Sequence, residues 1–416
     1  MLACRTHSAE RKQMRQVSTL GGISHPWKPG ELVLYTAIGP ELICQRVNRE
    51  DLSLNDVSRL VLSAPVQYVW PHPHRNLLYV ACSNRPISPA DDLHVLATVE
   101  VDENDGSMRQ LAEVPLPTRP IHLTLDAQAR FVLVVYNAPA CITAHALDSN
   151  GLAGKVLPQE IAPHVGVFPH QVLMLPSGEA AVVIARGNQA GPDRAEEPGS
   201  FDFLSAEDGR LSHRSTVTPS GVGFGPRHIA FHPGGRWAAV SVERNNELQI
   251  YRVENDCFAP EPTFRVSSLA DASDSSHDQL SGTVRFHPGG SYLYLVNRHD
   301  TTVYGDGSVP CSHAGNNIAV FAFDTDSGRP TLLQHAPTES VHVRTFSFDE
   351  RGDLLVAASI LPAWVQQGDS VVRVPARLSF FSTGDDGQLT LLRVQDMNND
   401  RLNLFWSHLY GTFRLS

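Results

Sequence analysis

Several features that would place this 416-residue chain in a familiar class are missing. No stretch approaches the roughly 18 uninterrupted apolar residues that a membrane-spanning helix needs. Residues 1–22 carry charged side chains where a secretory signal has an apolar core. These absences predict a cytoplasmic protein that does not bind membranes.

Ligand sets for metals and cofactors are also missing. The six cysteines are scattered without Cys-x-x-Cys pairs, so they indicate neither a disulfide framework nor a zinc cage, and we expect buried free thiols. His72 and His74, in the PHPH segment, lack the carboxylate partners of a metal site. No G-x-S-x-G elbow and no H-E-x-x-H motif is present. We therefore predict no metal and no cofactor, and find no support for a serine or metal hydrolase.

The chain has no basic run, and its net charge is −11. Because affinity for nucleic acids rests on clustered Lys and Arg, nucleic acid is not an expected partner. A small anionic substrate is compatible with this balance, since a few converging arginines set a local field opposite to the net charge.

What the sequence does contain is repetition. An apolar strand, a Pro/Gly turn and a second apolar strand recur six times, as in FHPGGRWAAV ending at Val240. The residues at the proline position are Pro73, Ala127, Pro176, Pro233, Pro288 and Glu350, separated by 49 to 62 residues. An alternating strand running into an acidic or Gly turn follows each copy and also occurs at residues 41–51. Such turns indicate hairpins, so each repeat is predicted to be a four-stranded antiparallel sheet.

The two ends of the chain supply one further sheet. Apolar strands at residues 32–37 and 401–410 are left over, and pairing them completes a seventh blade. We therefore predict an all-β fold, a seven-bladed β-propeller whose terminal strands share the closing blade. Residues 32–416 would form this single domain, and residues 1–31 a poorly ordered extension. A linear β-solenoid is the competing architecture, but its repeats are shorter and the shared ends would be unexplained.

Equivalent positions on the innermost strands of a propeller form rings around the central channel. Two such positions, six residues before and ten residues after the proline position, belong to the same mouth. The ionisable residues found there are His170, Arg186, Arg227, Glu243, Arg298 and Arg344. Strand packing requires none of them. They are either solvated strand ends or an anion site, in which guanidinium groups hold carboxylate or phosphate and Glu or His transfers a proton.

Residues 221–253, GVGFGPRHIAFHPGGRWAAVSVERNNELQIYRV, resemble the signature blade of the seven-bladed propeller lactonases. That group contains bacterial-type 6-phosphogluconolactonase and fungal carboxy-cis,cis-muconate cyclase. LSGTVRFHPGGSYLYLVNRHD, at residues 280–300, is similar to the next blade, and FPHQVLMLPSG, at residues 168–178, to the preceding one. The resemblance extends over nearly the whole chain from about residue 32.

The resemblance implies site roles for four residues: His170 in FPHQ, Arg227 in GPRH, Glu243 in SVERN and Arg298 in VNRHD. The chain departs from the family pattern at Arg186, where many members carry an acidic residue, which implies a tighter or different anion preference. A long insertion at residues 301–317, with Tyr304, Asp306 and His313, is either a substrate-facing lid or a loop of no consequence.

These residues lead to three functional hypotheses. The first is a metal-independent lactonase acting on an anionic sugar-acid lactone, with 6-phosphogluconolactone as the leading substrate by resemblance. Glu243 or His170 would be the base and Arg227 would stabilise the oxyanion, while Arg298, Arg344 and Arg186 would bind the substrate. The second is a cyclase that forms a lactone from a carboxymuconate. The third is a non-catalytic propeller that binds a partner through its rim.

Overall fold

The structure is a computed structural model, and it describes residues 32–85, 92–219, 223–270, 279–299, 315–397 and 402–410. Within these ranges the regular structure consists of β-strands alone, labelled β1 to β31 in chain order. Seven antiparallel sheets are arranged as the blades of a propeller, and a separate two-stranded hairpin accompanies the last of them. The predicted all-β, seven-bladed fold is confirmed.

Each blade runs from an innermost strand that lines the channel to an outermost strand on the periphery. The strands of the first four blades are β1 (Leu32–Ile38), β2 (Glu41–Val47), β3 (Leu54–Val61); β4 (Val66–Pro71), β5 (Leu77–Ser83), β6 (His94–Val101), β7 (Met108–Pro115); β8 (Pro120–Leu125), β9 (Phe131–Asn137), β10 (Ala140–Leu147), β11 (Ala153–Val156); and β12 (Pro169–Met174), β13 (Ala180–Ala185), β14 (Ser200–Glu207), β15 (Arg210–Val217).

The remaining strands are β16 (Pro226–Phe231), β17 (Trp237–Val242), β18 (Glu247–Glu254), β19 (Cys257–Phe258), β20 (Phe264–Ser267); β21 (Gln279–Phe286), β22 (Tyr292–His299), β23 (Asn317–Phe323), β24 (Pro330–Pro337); β25 (Val343–Phe348), β26 (Leu354–Ser359), β27 (Ala363–Gln367), β28 (Ser370–Val374), β29 (Arg377–Thr383), β30 (Leu389–Asp396); and β31 (Leu404–Tyr410). β19 and β20 both pair with β18 at the edge of their blade.

The first blade contains both ends of the described chain. Its strand order is β3-β2-β1-β31, and β31 pairs antiparallel with β1 from Val33 opposite Tyr410 to Ile38 opposite Leu404. The predicted sharing of the closing blade is therefore confirmed. Because this pairing fills the inner edge of the first blade, no gap in the ring separates it from the seventh.

The core of the molecule lies between the blades. Seven clusters of buried apolar side chains each join one pair of neighbouring blades. One of them joins the first blade to the seventh through residues such as Leu34 and Val356. The second strands are buried along most of their length, and the runs 180–185 and 237–242 along all of it, because neighbouring blades cover both of their faces.

Some features differ from the sequence analysis or lie beyond the described residues. The hairpin β27–β28 was not predicted, and its Val365 and Val374 pack against Val341. Cys44 and Cys82 are buried free thiols, as expected, whereas Cys141 and Cys257 are half-buried free thiols. Residues 1–31 and most of the 301–317 insertion lie outside the described residues, so the predicted extension and lid stay predictions. No helix capable of crossing a membrane occurs in the described ranges.

Candidate active site

A β-bulge near the start of the innermost strand positions the side chains of the mouth. In β16 the pairing with β17 shifts between Pro226 and His228, so Arg227 is the extra residue. β12 has the same shift between Pro169 and Gln171, which makes His170 the extra residue. A bulge bends a strand and redirects its side chains, and each bulged residue here is the second residue of its strand, at one end of the channel.

Glu243 is the centre of a buried ion-pair cluster. The residue follows β17 and is 2% exposed. Its Oε2 accepts a hydrogen bond from Arg186 Nη1 at 2.8 Å, and its Oε1 accepts hydrogen bonds from Arg227 and Arg298. Burial alone would raise the pKa of Glu243, but the charges of Arg227, Arg298 and Arg186 outweigh it and lower the pKa far below its usual value. The carboxylate is therefore ionised throughout the neutral range.

A glycine makes room for one of these guanidinium groups. Arg298 is 3% exposed, and its Nη1 donates a hydrogen bond to the Ser281 carbonyl at 3.1 Å. A Cβ on Gly282 would lie 2.6 Å from that Nη1 atom. Gly282 occupies the ring position that carries Arg227 and Arg344 in other blades, so the missing side chain there lets Arg298 reach Glu243.

Arg344 brings a fourth positive charge to the same mouth. Its guanidinium stacks on the Phe405 ring, 4.6 Å from the centroid. Burial, followed by the charge of Arg298, lowers the pKa of Arg344 to about 9, so the group stays charged at neutral pH. In the described part of the chain no second carboxylate pairs with these arginines, which leaves four guanidinium groups facing one carboxylate.

His170 lies beside this cluster. It is 8% exposed, its Nδ1 has no hydrogen-bond partner in the described chain, and its ring meets that of His228 edge to face at 5.0 Å. Burial and then the charge of Arg227 lower its pKa well below the ordinary value of 6.5. The same two causes, in the same order, lower the pKa of His228. Both imidazoles are therefore neutral near pH 7.

The mouth opens into the central channel, a cavity of about 720 Å³. His170, Arg227, His228 and Arg344 line it, whereas Glu243, held by its three arginines, is not among the described residues on its wall. A molecule in the channel would thus meet guanidinium and imidazole groups first. This arrangement suits the binding of an anion and the transfer of a proton to or from a neutral imidazole.

One cluster outside the mouth has metal-ligand residue types: His164, Asp202 and His213. Hydrogen bonds already account for its geometry, because Asp202 Oδ1 accepts from His164 Nδ1 at 2.8 Å and from Thr216 Oγ1 at 2.7 Å. Ser200 donates to Asp202 Oδ2 at 2.6 Å. The other histidine pair behaves similarly, since His72 Nδ1 accepts from the His74 backbone N–H at 3.0 Å. Neither group touches the arginine cluster.

The structure brings all six sequence-predicted residues to one mouth. Glu243 contacts three of the predicted arginines. The fourth, Arg344, is close enough for the charge of Arg298 to lower its pKa. Repeat alignment missed His228, which stands one residue beyond Arg227, and His342, whose pKa is lowered by burial and then by the charge of Arg298. At each inner bulge the residue after the bulged one also lines the channel, as His228 does after Arg227. The repeat alignment could not predict this, because it identifies one residue per strand.

A closed seven-bladed propeller with a charged channel mouth defines the class of protein. Within that class the chain belongs to the lactonase, 7-bladed beta-propeller family, whose model matches residues 35–360. It is 26% identical over 333 residues to a 6-phosphogluconolactonase of Erwinia tasmaniensis, covering 78% of this chain and 87% of the relative. A 6-phosphogluconolactonase of Pectobacterium atrosepticum is 27% identical over 287 residues, which cover 69% of this chain and 75% of that protein.

Solved structures share the fold. The periplasmic gluconolactonase PpgL of Pseudomonas aeruginosa superposes with a TM-score of 0.69 at 17% identity, covering 90% of this chain and 98% of that chain. A protein from Lactobacillus plantarum gives a TM-score of 0.63 at 18% identity, with coverage of 91% and 98%. At such identities the likeness extends to the fold alone. The predicted membership of the propeller lactonases is confirmed, and the cytoplasmic location stays a prediction.

Proposed function

We propose that this protein is a metal-independent lactonase that hydrolyses an anionic sugar-acid lactone, with 6-phosphogluconolactone as the leading substrate. The observation that carries the proposal is the surplus of positive charge at a channel mouth that also holds a neutral imidazole, in a member of a lactonase family. Relatives that bear the name 6-phosphogluconolactonase support the choice of substrate.

The arginines supply binding and charge stabilisation in this proposal. Arg227 and Arg344 line the channel and would hold the anionic part of the substrate and the oxyanion that develops on the lactone carbonyl. Guanidinium groups suit both tasks because they stay charged and donate two parallel hydrogen bonds to carboxylate or phosphate. Arg298 and Arg186 would act mainly through Glu243, which fixes the positions of all three arginines that it contacts.

The geometry favours His170 over Glu243 as the general base. The two oxygens of Glu243 are occupied by three guanidinium partners and the residue does not line the channel, so it is poorly placed to accept a proton from a water molecule there. His170 lies on the channel wall with a neutral ring, and because its Nδ1 is enclosed by the chain, Nε2 would be the nitrogen that accepts the proton. In this scheme His170 takes a proton from water as the oxygen attacks the carbonyl carbon. The protonated ring then returns that proton to the leaving ring oxygen as the ester bond breaks.

A substrate panel tests the proposal directly. The purified full chain is incubated with 6-phosphogluconolactone, with unphosphorylated gluconolactone and with carboxymuconate, and the uncatalysed rates are subtracted. We expect hydrolysis of the phosphorylated lactone with a kcat/KM at least about tenfold above that for the unphosphorylated one. If carboxymuconate is the one compound that is turned over, the proposed hydrolysis is wrong and the reaction is cyclisation to a lactone. Absence of turnover of every compound would contradict an enzymatic role.

A further inference from the structure

A fifth guanidinium group reaches the channel mouth from the third blade. It belongs to Arg119, which directly precedes β8 and is half-buried. Its Nε donates a hydrogen bond to Oε1 of Gln67 at 3.0 Å. Gln67 lines the channel and is the bulged residue of β4, the position that Arg227 and Arg344 occupy in their own blades. The guanidinium of Arg119 therefore lies next to the channel wall at the level of the mouth.

Gln67 holds this guanidinium in a fixed orientation. Gln67 is 6% exposed, and its Nε2 donates hydrogen bonds to the carbonyls of Pro65 at 3.2 Å and Ser83 at 3.3 Å. These two bonds determine which way the amide faces, so Oε1 is directed to Arg119. With Nε engaged, the two Nη atoms of Arg119 remain as a pair of donors at the end of a planar group. Such a pair matches two oxygens of a phosphate.

Arg344 approaches the same place from the seventh blade. Its stacking partner Phe405 lies on β31, in the first blade, and β31 contacts β25 of the seventh blade and β4 of the second. The guanidinium groups of Arg119 and Arg344 thus extend toward the first blade from its two sides. The pKa of Arg344 reflects this, because the charge of Arg119 lowers it as well, after burial and the charge of Arg298.

The two arginines keep donors available for a ligand. In the described part of the chain, the Nη atoms of Arg119 and the three guanidinium nitrogens of Arg344 make no hydrogen bond, and no carboxylate forms an ion pair with either group. None of these five nitrogens is among the enclosed, unpaired polar atoms of the described residues, whereas the Nε atoms of Arg227 and Arg298 are. A molecule at the mouth can therefore contact them.

Two fixed positive groups without a counter-charge repel one another, and burial adds to the cost of their charge. Burial, followed by the charge of Arg85, lowers the pKa of Arg119. Arg85 itself is paired with Asp92, so it leaves that carboxylate engaged. An anion between Arg119 and Arg344 would remove the repulsion and accept hydrogen bonds from both groups.

We propose that Arg119 and Arg344 form a clamp for a phosphate at the end of the substrate remote from the reacting carbonyl, with Gln67 as the residue that positions Arg119. The identity of that substrate rests on the proposed function. The lactone carbonyl then lies at Arg227 and His170, on the fifth and fourth blades, and the sugar acid extends across the mouth toward the first blade. The clamp would make the enzyme select phosphorylated lactones.

Binding of inorganic phosphate tests the clamp without any catalysis. The melting temperature of the full chain is measured against phosphate concentration at constant ionic strength, with chloride as the balancing anion, which gives an apparent Kd. We expect saturable stabilisation of the wild type and of the control Arg109→Gln, whose arginine is exposed on β7. Arg119→Gln should weaken the affinity at least about tenfold, and Arg119→Lys should restore part of it. A wild type that phosphate does not stabilise, or a folded Arg119→Gln variant with wild-type affinity, would overturn the clamp.

Gln67→Glu tests the positioning of Arg119. The new carboxylate would keep the guanidinium in place but give it a counter-charge, so the affinity for phosphate should fall about as far as in Arg119→Gln. A purely structural role of Gln67 predicts a lower melting temperature with an unchanged Kd. A folded Gln67→Glu variant that binds phosphate as the wild type does would refute the positioning role.

Steady-state kinetics separates the clamp from the proposed function. The quantity measured is the ratio of kcat/KM for 6-phosphogluconolactone to that for unphosphorylated gluconolactone. Arg119→Gln should lower this ratio about tenfold by raising KM for the phosphorylated lactone, and Arg109→Gln should keep it. A wild type that hydrolyses no lactone would refute the function while the phosphate titration still decides the clamp. A wild type that prefers the phosphorylated lactone, together with a folded Arg119→Gln variant that keeps the same preference, would refute the clamp alone.

Discussion

The two ends of the central channel are built from the same repeat and serve different purposes. The end that carries His170, Arg186, Arg227, Glu243, Arg298 and Arg344 is called here the arginine mouth. The other end, formed by the Pro/Gly turns of the inner hairpins, is called the turn end. At the arginine mouth, charged groups outnumber their partners. At the turn end, polar side chains complete the turns and the contacts between blades.

Two contacts illustrate the turn end. Asp126 caps the backbone of its own turn through the N–H groups of Arg130 and Phe131. His287 reaches the carbonyl of Gly352 in the next blade at 3.3 Å, and a Cβ on that glycine would lie 2.0 Å from the ring nitrogen. These groups satisfy one another and so serve the fold. At the opposite end four arginines share one carboxylate, an excess of charge that the fold does not require, and this contrast identifies the mouth as the site.

The largest effect in this comparison is expected from Glu243→Gln. Removing the carboxylate leaves Arg227 and Arg298, 5% and 3% exposed, without a counter-charge. Breaking a buried ion pair in this way costs about 3–5 kcal/mol, so we expect a clear loss of unfolding free energy together with loss of activity. Chemical denaturation and lactone turnover measure the two effects.

The matched control is Glu100→Gln. Glu100 pairs with Arg109 on the surface at 2.7 Å, and such an exposed pair contributes about 0–1 kcal/mol. Equal destabilisation by the two substitutions would mean that the cluster at the mouth is no more than a surface ion pair.

His170→Ala is expected to reduce kcat by roughly 10²–10⁴ with little change in KM or stability.

The lowered pKa of His170 also predicts the direction in which activity changes with pH. The neutral ring is the active form, so wild-type activity falls as the pH drops through that pKa, below 6.5, and stays level between it and neutral pH, where Arg344 is still charged. The acidic limb should vanish in the variant. If the variant keeps both the turnover and the acidic limb of the wild type, another group is the base.

Gly352→Ala should affect the fold and spare the chemistry. Gly352 has a φ of +80°, and the added methyl group would collide with His287. We expect a loss of about 1–3 kcal/mol in unfolding free energy with kcat per folded molecule unchanged. Gly191→Ala is the control, because no atom lies within 4 Å of its added Cβ. A selective loss of kcat in Gly352→Ala would place function at the turn end.

Removal of metal ions should have the smallest effect. The hydrogen bonds of Asp202 explain the one metal-compatible cluster in the described residues, and that cluster contacts none of the residues of the mouth. Activity should therefore survive exhaustive EDTA treatment. Loss of activity that a divalent ion restores would contradict the proposed roles of His170 and Arg227.

Repeat periodicity predicted much of this molecule because a propeller converts sequence period directly into position around a ring. It placed His170, Arg227 and Arg344 on one rim from equivalent positions, and it paired the terminal strands correctly. Equivalent residues in successive blades share a backbone environment, so their location follows from the alignment alone.

Interactions across the ring did not follow from periodicity. The repeat alignment located Glu243 and its arginines but not the contacts that bury it, which bring together residues 55 and 57 positions apart in sequence. The inner bulges, which bring adjacent residues such as Arg227 and His228 into the channel, have no reliable sequence signature.

The most direct test of the central claim is kcat/KM for 6-phosphogluconolactone in Arg227→Gln. Glu243 keeps Arg298 and Arg186 as partners in this variant, so the fold should be retained, and thermal melting checks this. The account predicts that kcat/KM falls by roughly 10²–10³, because a donor to the substrate and its oxyanion is lost. A folded Arg227→Gln protein with wild-type kcat/KM on a substrate that the wild type hydrolyses would contradict the assignment of the arginine mouth as the active site.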